Sequence, residues 1–390
     1  MKFELWKLNK WIMVISLIII SAMLLAPSRY SSDAKAEGIN YLNDQIYPDE
    51  ELANMLQSMK DQNAPNTILE DVKKEQELYK NILKATQQDD YENKIKYEAE
   101  LARSNLKQIK SGSLVGRTVT EQQLLVTELD YFEAHPNIKR IDYFYKNNFP
   151  AANYLPRAFQ QLSYPLLLSI GAIGIALAMT YEKRKKTDIF LATVPRKMTR
   201  LMACKIGLVF ASVFSVFVFS LLVIVGVMTV KEGFGSWNYP IFFLTYSHEV
   251  QQTTVLNFTL LMILATGLFW LFLTCFSCLI QYFSQNFFIN FILQEVWILP
   301  ILLATLYVPG QPSISTIDST ISPSLAKGLP TSYFDFPRLL LDQNVWSLAD
   351  LTWQKGIIFL LLGSGIFLAG SLYLAKRQEN IPKNRANLEN

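Results

Sequence analysis

The sequence predicts an all-α polytopic membrane protein: six transmembrane helices and one helical insert outside the cytoplasm. Three observations predict it. Of 390 residues, 51% are apolar and only 18% are charged, and the apolar ones are gathered into runs. Several runs approach or exceed the roughly 20 residues that cross a bilayer's hydrocarbon core. Lys and Arg crowd some of the connections between runs and avoid others. The one long polar stretch, 27–161, carries its apolar residues at helical spacing.

By run length the spans are 11–26, 162–180, 206–229, 255–281, 287–308 and 356–375. The first follows a preamble, 1–10, in which Phe3, Leu5, Trp6 and Leu8 stand among lysines, as in a short helix lying on the inner leaflet. An "AKA" at 34–36 resembles a secretory cleavage site but lies well past the end of the apolar run. The first run is therefore read as an uncleaved span. Only "YFSQN" separates the fourth run from the fifth, so these two form a tight hairpin.

Positive residues set the orientation. Lys2, Lys7 and Lys10 precede the first span; Lys376, Arg377, Lys383 and Arg385 follow the last, in the tail 376–390. The connection 181–205 carries Lys183 to Lys186 as one basic block, then Arg196, Lys197, Arg200 and Lys205. The connection 230–254 has only Lys231, and 309–355 only Lys327, Arg338 and Lys355. Both termini and 181–205 are expected in the cytoplasm, and 27–161 outside, in the plasma membrane.

Helix signals fill the insert. Pro48 and Asp49 open "EELANMLQSMK". Asn66 or Thr67 can cap the next helix, with Glu70 at capping-box distance from Thr67. Asp89 and Asp90 precede a third, where Tyr91, Ile95, Ala102, Leu106 and Ile109 share one face. Thr120 precedes a fourth, which ends before Pro136. No strand alternation of comparable length appears in this region.

Chemical motifs are absent where an enzyme would need them. No phosphate-binding loop, metalloprotease helix or nucleophile elbow occurs. Cys275 and Cys278 are a C-x-x-C, but inside an apolar run with no further ligand nearby; these and Cys204 read as packing residues. His135 and His248 are lone histidines, at a helix end and in a connection. No metal, cofactor, catalytic residue or nucleic-acid partner is expected.

Ionisable residues inside the runs are few, and Glu295 in "FILQEVWILP" is the clear case. A carboxylate in a span costs about 2.5–3.5 kcal/mol on insertion scales, so it faces the protein interior or water. With Gln294 and Asn290 it marks a candidate translocation path. The segment 309–355 is rich in Pro, Ser and aromatics and is expected at the outer interface, re-entering as short helices.

Finally, 181–205 reads YEKRKKTDIFLATVPRKMTRLMACK. Glu182 is followed by Thr187 five residues on, Pro195 eight further and Lys205 ten further. This spacing resembles the segment after the second span in permeases of the type-2 ABC exporter family, in the branch with a large ectodomain between spans one and two. Lys186 stands where glycine is usual, and Met198 where a basic residue is usual. The resemblance implies a permease subunit without a nucleotide-binding domain. It would pair with ATP-binding cassette ATPase subunits and a second permease, as a homodimer or pseudo-dimer. It also implies that 181–205 holds a coupling helix docking on the ATPase. Asp188 would start that helix, Ile189, Phe190 and Leu191 would give the apolar contact, and Arg196, Lys197 and Arg200 would meet acidic rims or lipid head groups. The expected cargo is a peptide or antimicrobial moving out of the cell. Export of sodium, lipid or drugs by the same family, and a non-transporting receptor or scaffold, are the alternatives.

Overall fold

The computed structural model describes residues 10–25, 34–112, 119–141, 149–159, 163–181, 198–244, 250–284, 286–307, 330–341 and 352–386. The described residues are mostly helical, 83%. It divides into two compact units, one built from 1–26, 150–238 and 254–390, the other from 27–149 and 239–253.

In the first unit the helices are α1 (Lys10–Leu25), and, after the second unit's five (α2–α6, below), α7 (Ala151–Ala158), α8 (Ser163–Met179), α9 (Met198–Glu232), α10 (Val255–Ile280), α11 (Phe287–Tyr307), α12 (Phe336–Leu341) and α13 (Trp353–Ala386). A 3-10 turn, Pro330–Phe334, precedes α12. Among the described residues three helices are long and apolar enough to cross a membrane: Met198–Glu232, Val255–Ile280 and Trp353–Arg377. Three more are apolar but shorter: Val14–Leu25, Ser163–Met179 and Phe287–Leu303.

The centre of this unit is α10. Its most apolar stretch is 67% buried, against 33% for α9 and 17% for α13. Helices α7, α8, α9, α11, α12 and α13 all pack on it. Large aromatics make that packing. Trp270 stands edge-on to Phe217 of α9 at 5.2 Å between ring centroids, and Phe272 meets Trp297 of α11 at 5.0 Å and Phe367 of α13 at 5.3 Å. Small residues make room for them: a Cβ on Gly171 of α8 would come within 2.1 Å of Trp270 Nε1. The short α7 is tied to α1, because the buried Tyr154 hydroxyl donates to Leu24 O at 2.6 Å.

The second unit holds α2 (Ala34–Gln45), α3 (Asp49–Asp61), α4 (Asn66–Gln87), α5 (Tyr91–Lys110) and α6 (Val119–Ala134), with strands β1 (Pro240–Leu244) and β2 (Val250–Thr254) paired as one two-stranded sheet. Its core follows helical spacing: Leu78, Ile82 and Ala85 from α4 face Ile95, Ala99 and Ala102 from α5, and Leu129 and Phe132 come from α6. A buried amide closes one end, where Gln76 donates to Gln45 O at 3.0 Å and accepts from Tyr47 N–H at 2.9 Å. Arg140 closes the other, reaching Glu128 at 2.8 Å and Glu98 at 3.5 Å. Its backbone N–H also donates to the Tyr91 hydroxyl. Burial pushes the Tyr91 phenol above its usual range.

Several expectations change. The fold is not purely α, since 240–244 and 250–254 pair as two strands, and β1 lies on α6 through Phe132, Tyr239 and Phe242. "PIFFL" has the aromatic and β-branched residues strands favour, but five residues are too few for periodicity to register. Residues 150–161, read with the insert, go with the apolar helices as far as they are described. The second unit instead takes in 239–253. Helix α9 begins at Met198, inside the segment read as a connection, because nothing between Met198 and Lys205 breaks a helix. Asn66 and Thr67 do not cap: Pro65 holds the N-cap position with φ −53°, and no side chain bonds there. Asp90 does cap α5, accepting from Asn93 N–H at 3.2 Å; the Asn93 side-chain amide, donating at 2.6 Å, and then this backbone bond hold its carboxyl below the usual range.

Candidate functional site

The polar residues of α11 sit on a helix otherwise made of Phe, Ile, Leu, Val and Trp. Asn290 and Gln294 are one turn apart and both fully buried. Asn290 Oδ1 accepts from the Ser277 hydroxyl of α10 at 2.6 Å and from Gln294 Nε2 at 2.7 Å, while Asn290 Nδ2 donates to Ser277 O at 3.3 Å. Glu295, one residue on, is turned about 100° around the helix axis. It faces α8 instead, where the Ser169 hydroxyl donates to Oε2 at 3.0 Å.

The three predicted path residues therefore do not form one cluster. Asn290 and Gln294 join Ser277, and Glu295 joins Ser169. Both arrangements leave polar atoms unmatched: Glu295 Oε1, Gln294 Oε1 and Trp270 Nε1 are buried without a hydrogen-bond partner. An unmatched buried polar atom costs about 1–3 kcal/mol. Among apolar helices such groups invite a polar visitor or a rearrangement. Apolar residues of the same helix, Ile292, Val296 and Leu299, are exposed beside Glu295, so the carboxyl lies near the edge of the bundle.

The 330–341 segment comes to the same bundle from another direction. Phe334 lies against Phe269 at 5.5 Å, Phe272 at 5.9 Å and Trp297 at 6.4 Å. Phe269 is fourteen residues into α10, about 21 Å along it at 1.5 Å per residue. The segment thus packs beside the middle of α10 rather than at its end. Asp335 goes in with it, 3% exposed. Close approach fixes the insertion: a Cβ on Gly356 would stand 2.1 Å from Tyr333 O. Residues 331–337, 339 and 340 are buried, and Pro330 is exposed. The aromatic faces of α10, α11 and α13 supply more contact than a water–lipid boundary does.

Of the expected coupling residues, Glu182, Thr187, Asp188, Ile189, Phe190, Leu191, Pro195, Arg196 and Lys197 lie outside the described residues. Arg200 is exposed on the first turn of α9. Lys205 is 3% exposed. Its ammonium donates to Met179 O at 2.9 Å and approaches Gln281 Oε1 at 3.4 Å. A buried ammonium needs such oxygens, and here the ends of α8 and α10 provide them.

Cys275 and Cys278 are buried thiols outside any disulfide, and Cys204 is exposed. His135 is exposed, stacked on Tyr131 at 4.2 Å with Nδ1 2.8 Å from Tyr131 O. His248 lies outside the described residues. Among the described residues no group of three or more His, Cys, Asp or Glu could hold a metal ion. Sequence reasoning missed Ser169, Ser277, Trp270, Gln281 and Asp335. In an apolar run a serine gives little signal, because its hydroxyl so often bonds back to its own helix. Comparison with protein families, with characterised proteins and with solved structures finds no match to this chain.

Proposed function

We propose that this chain is the transmembrane permease subunit of an ATP-driven exporter, with six spans, both termini in the cytoplasm and the 27–161 region outside. It moves a peptide or antimicrobial cargo outward, paired with a second permease and driven by ATP-binding cassette subunits on separate chains. The observation that carries this reading is the spacing of Glu182, Thr187, Pro195 and Lys205 in the strongly basic connection between two apolar helices. Six apolar helices, three long and three shorter, are in keeping with it. In this reading 181–205 grips the ATPase, Glu295, Gln294 and Asn290 stand on the cargo path, and the unmatched oxygens of Glu295 and Gln294 are where polar groups of the cargo bind.

The test is purification of the full chain with the proteins it retains, followed by charge reversal at Arg196, Lys197 and Arg200. The expected result is an ATPase chain bound to the native protein, with ATP hydrolysis that reversal uncouples from export while insertion persists. A native preparation that holds no ATPase and supports no ATP hydrolysis overturns the reading and leaves a receptor or scaffold. Loss of insertion on reversal means that the charges only anchor the chain.

A further inference from the structure

We infer that Glu295 is a cation-recognition site: it binds the ammonium or guanidinium group of an elongated amphipathic molecule whose apolar body lies along the exposed stripe of α11. The inference deepens the exporter reading above and rests on it for the site's place on a cargo path. Among the described residues the Glu295 carboxyl has one hydrogen-bond partner, the Ser169 hydroxyl, and no Lys, Arg or His pairs with it. Its other oxygen, Oε1, is buried and unmatched. An ionised carboxyl only accepts, so the missing partner is a donor. Protonation of Oε1 would only exchange an unmatched acceptor for an unmatched donor. The other unmatched atom of α11, Gln294 Oε1, is an acceptor too. Trp270 Nε1 lacks an acceptor, but it stands against Gly171 of α8, where a Cβ would come within 2.1 Å of it, so no further group fits on that side.

The surroundings of the carboxyl say what carries the donor. Phe288, Ile292, Leu299 and Leu303 are exposed. With Glu295 they fall at steps of four, three, four and four along α11, which puts all five within about 80° of one another around the helix axis. Glu295 is thus the middle position of an apolar stripe and its one charge. It lies about 12 Å along the helix from Phe287, at 1.5 Å per residue. An ammonium carried to that depth loses its water, and a carboxyl is the partner that compensates it. Lipid tails cover an apolar stripe without need of a carboxyl. A second copy meeting itself through this stripe would set carboxyl against carboxyl. Charge elsewhere in the chain favours the same class of molecule. Residues 27–149 and 239–253 hold twenty-two Asp and Glu against sixteen Lys and Arg, although the whole chain has a net charge of +3. An acidic region raises the local concentration of cations and lowers that of anions.

The experiment uses the full chain in nanodiscs of uncharged lipid. The probes are a long-chain primary alkyl ammonium carrying a photoactivated diazirine and the alcohol of the same length with the same diazirine. Labelling of 287–303 is mapped by mass spectrometry and expressed relative to 356–375, an exposed apolar stretch without charge. In the native chain the amine is expected to label 287–303 about tenfold more than the alcohol does. Glu295→Gln should lower the amine to the level of the alcohol, and Glu295→Asp should keep most of the preference. Equal labelling by amine and alcohol in the native chain overturns the inference, as does unchanged amine labelling in Glu295→Gln; either leaves the stripe to lipid or to a second copy. The native comparison decides by itself where Glu295→Gln fails to fold. An unlabelled amphipathic peptide of Lys and Leu is then added as competitor. Displacement of the amine assigns the site to cationic peptides and its failure to small amines, and both keep the cation site. Retention of an ATPase is measured on the same preparation. A chain that prefers the amine but holds no ATPase overturns the exporter reading and keeps the cation site, whereas one that holds an ATPase but shows no preference overturns the inference alone.

Discussion

Ser169 donates its hydroxyl to Glu295 Oε2 at 3.0 Å, across the contact between α8 and α11, and leaves Oε1 of the same carboxyl buried and unmatched. A carboxyl held by one hydroxyl among apolar helices is only half provided for. That makes Glu295 the side chain whose chemistry is most open to test.

Glu295→Gln keeps an acceptor for Ser169, so folding should change by no more than about 1 kcal/mol. On the exporter reading it alters export. The measurement is growth of cells exposed to amphipathic antimicrobial peptides, with the native chain and the variant at matched membrane levels. Equal protection at every pH tested removes Glu295 from the path.

Gly356→Ala drives a methyl into Tyr333 O, which a Cβ there would approach to 2.1 Å. Overpacking costs about 1–3 kcal/mol, and a backbone carbonyl yields less readily than a side chain. The 330–341 segment should leave its place beside Phe269 and Phe272. Ser332 is 4% exposed, so a Ser332→Cys thiol should be shielded from a water-soluble maleimide in the native background and labelled in the Gly356→Ala background.

Arg140→Met leaves Glu98 and Glu128 facing each other without their shared cation. The three side chains are 18%, 21% and 25% exposed, so the pair is half-buried and the loss is expected to cost about 1–3 kcal/mol rather than the full price of a buried pair. Hydrogen exchange across α5 and α6 of the full chain should accelerate about tenfold or more, while the apolar helices stay unchanged. No change in exchange means that the aromatic contacts of Phe132 with Tyr239 and Phe242 hold this end alone.

Glu75 gives a pH dependence. Burial pushes its carboxyl above the usual range, and the hydrogen bond from Tyr79 offsets this only in part. A folded-state pKa above the unfolded one gives stability that is complete below the unfolded pKa and is lost as pH rises through the folded one. Glu75→Gln removes that loss. The thermal midpoint of the second unit should therefore rise in the variant at neutral pH and match the native chain below about pH 4. A variant equally stable or less stable at neutral pH shows that the Tyr79 bond outweighs burial.

The helices and their limits were largely legible. Run length alone locates α1, α8, α10 and α11 to within a residue or two of their ends, because an apolar run and a helix stop at the same polar flanks. Helical spacing identifies Ile95 and Ala102 as core residues of α5. Less was legible wherever a partner from far along the chain decides. The pair of strands 240–244 and 250–254 lies where α6 offers Phe132 and Tyr131 to Phe242. The sequence alone could only mark 230–254 as a connection.

The candidate site divides in the same way. That Glu295, Gln294 and Asn290 are costly in an apolar run follows from their chemistry, and the sequence suffices for it. Which neighbour each one finds does not follow. Adjacent residues on a helix point about 100° apart, so Gln294 turns to Asn290 and α10 while Glu295 turns to Ser169 and α8. Lys205 shows the same division most sharply. The sequence determines its spacing from Glu182 and the sign of its charge. Only the tertiary structure, by bringing the ends of α8 and α10 to the second turn of α9, decides that this charge is spent on Met179 O and Gln281 rather than on a surface. The physical reason is that a helix end leaves carbonyls unpaired, and a buried ammonium seeks whatever oxygens the packing leaves within its reach.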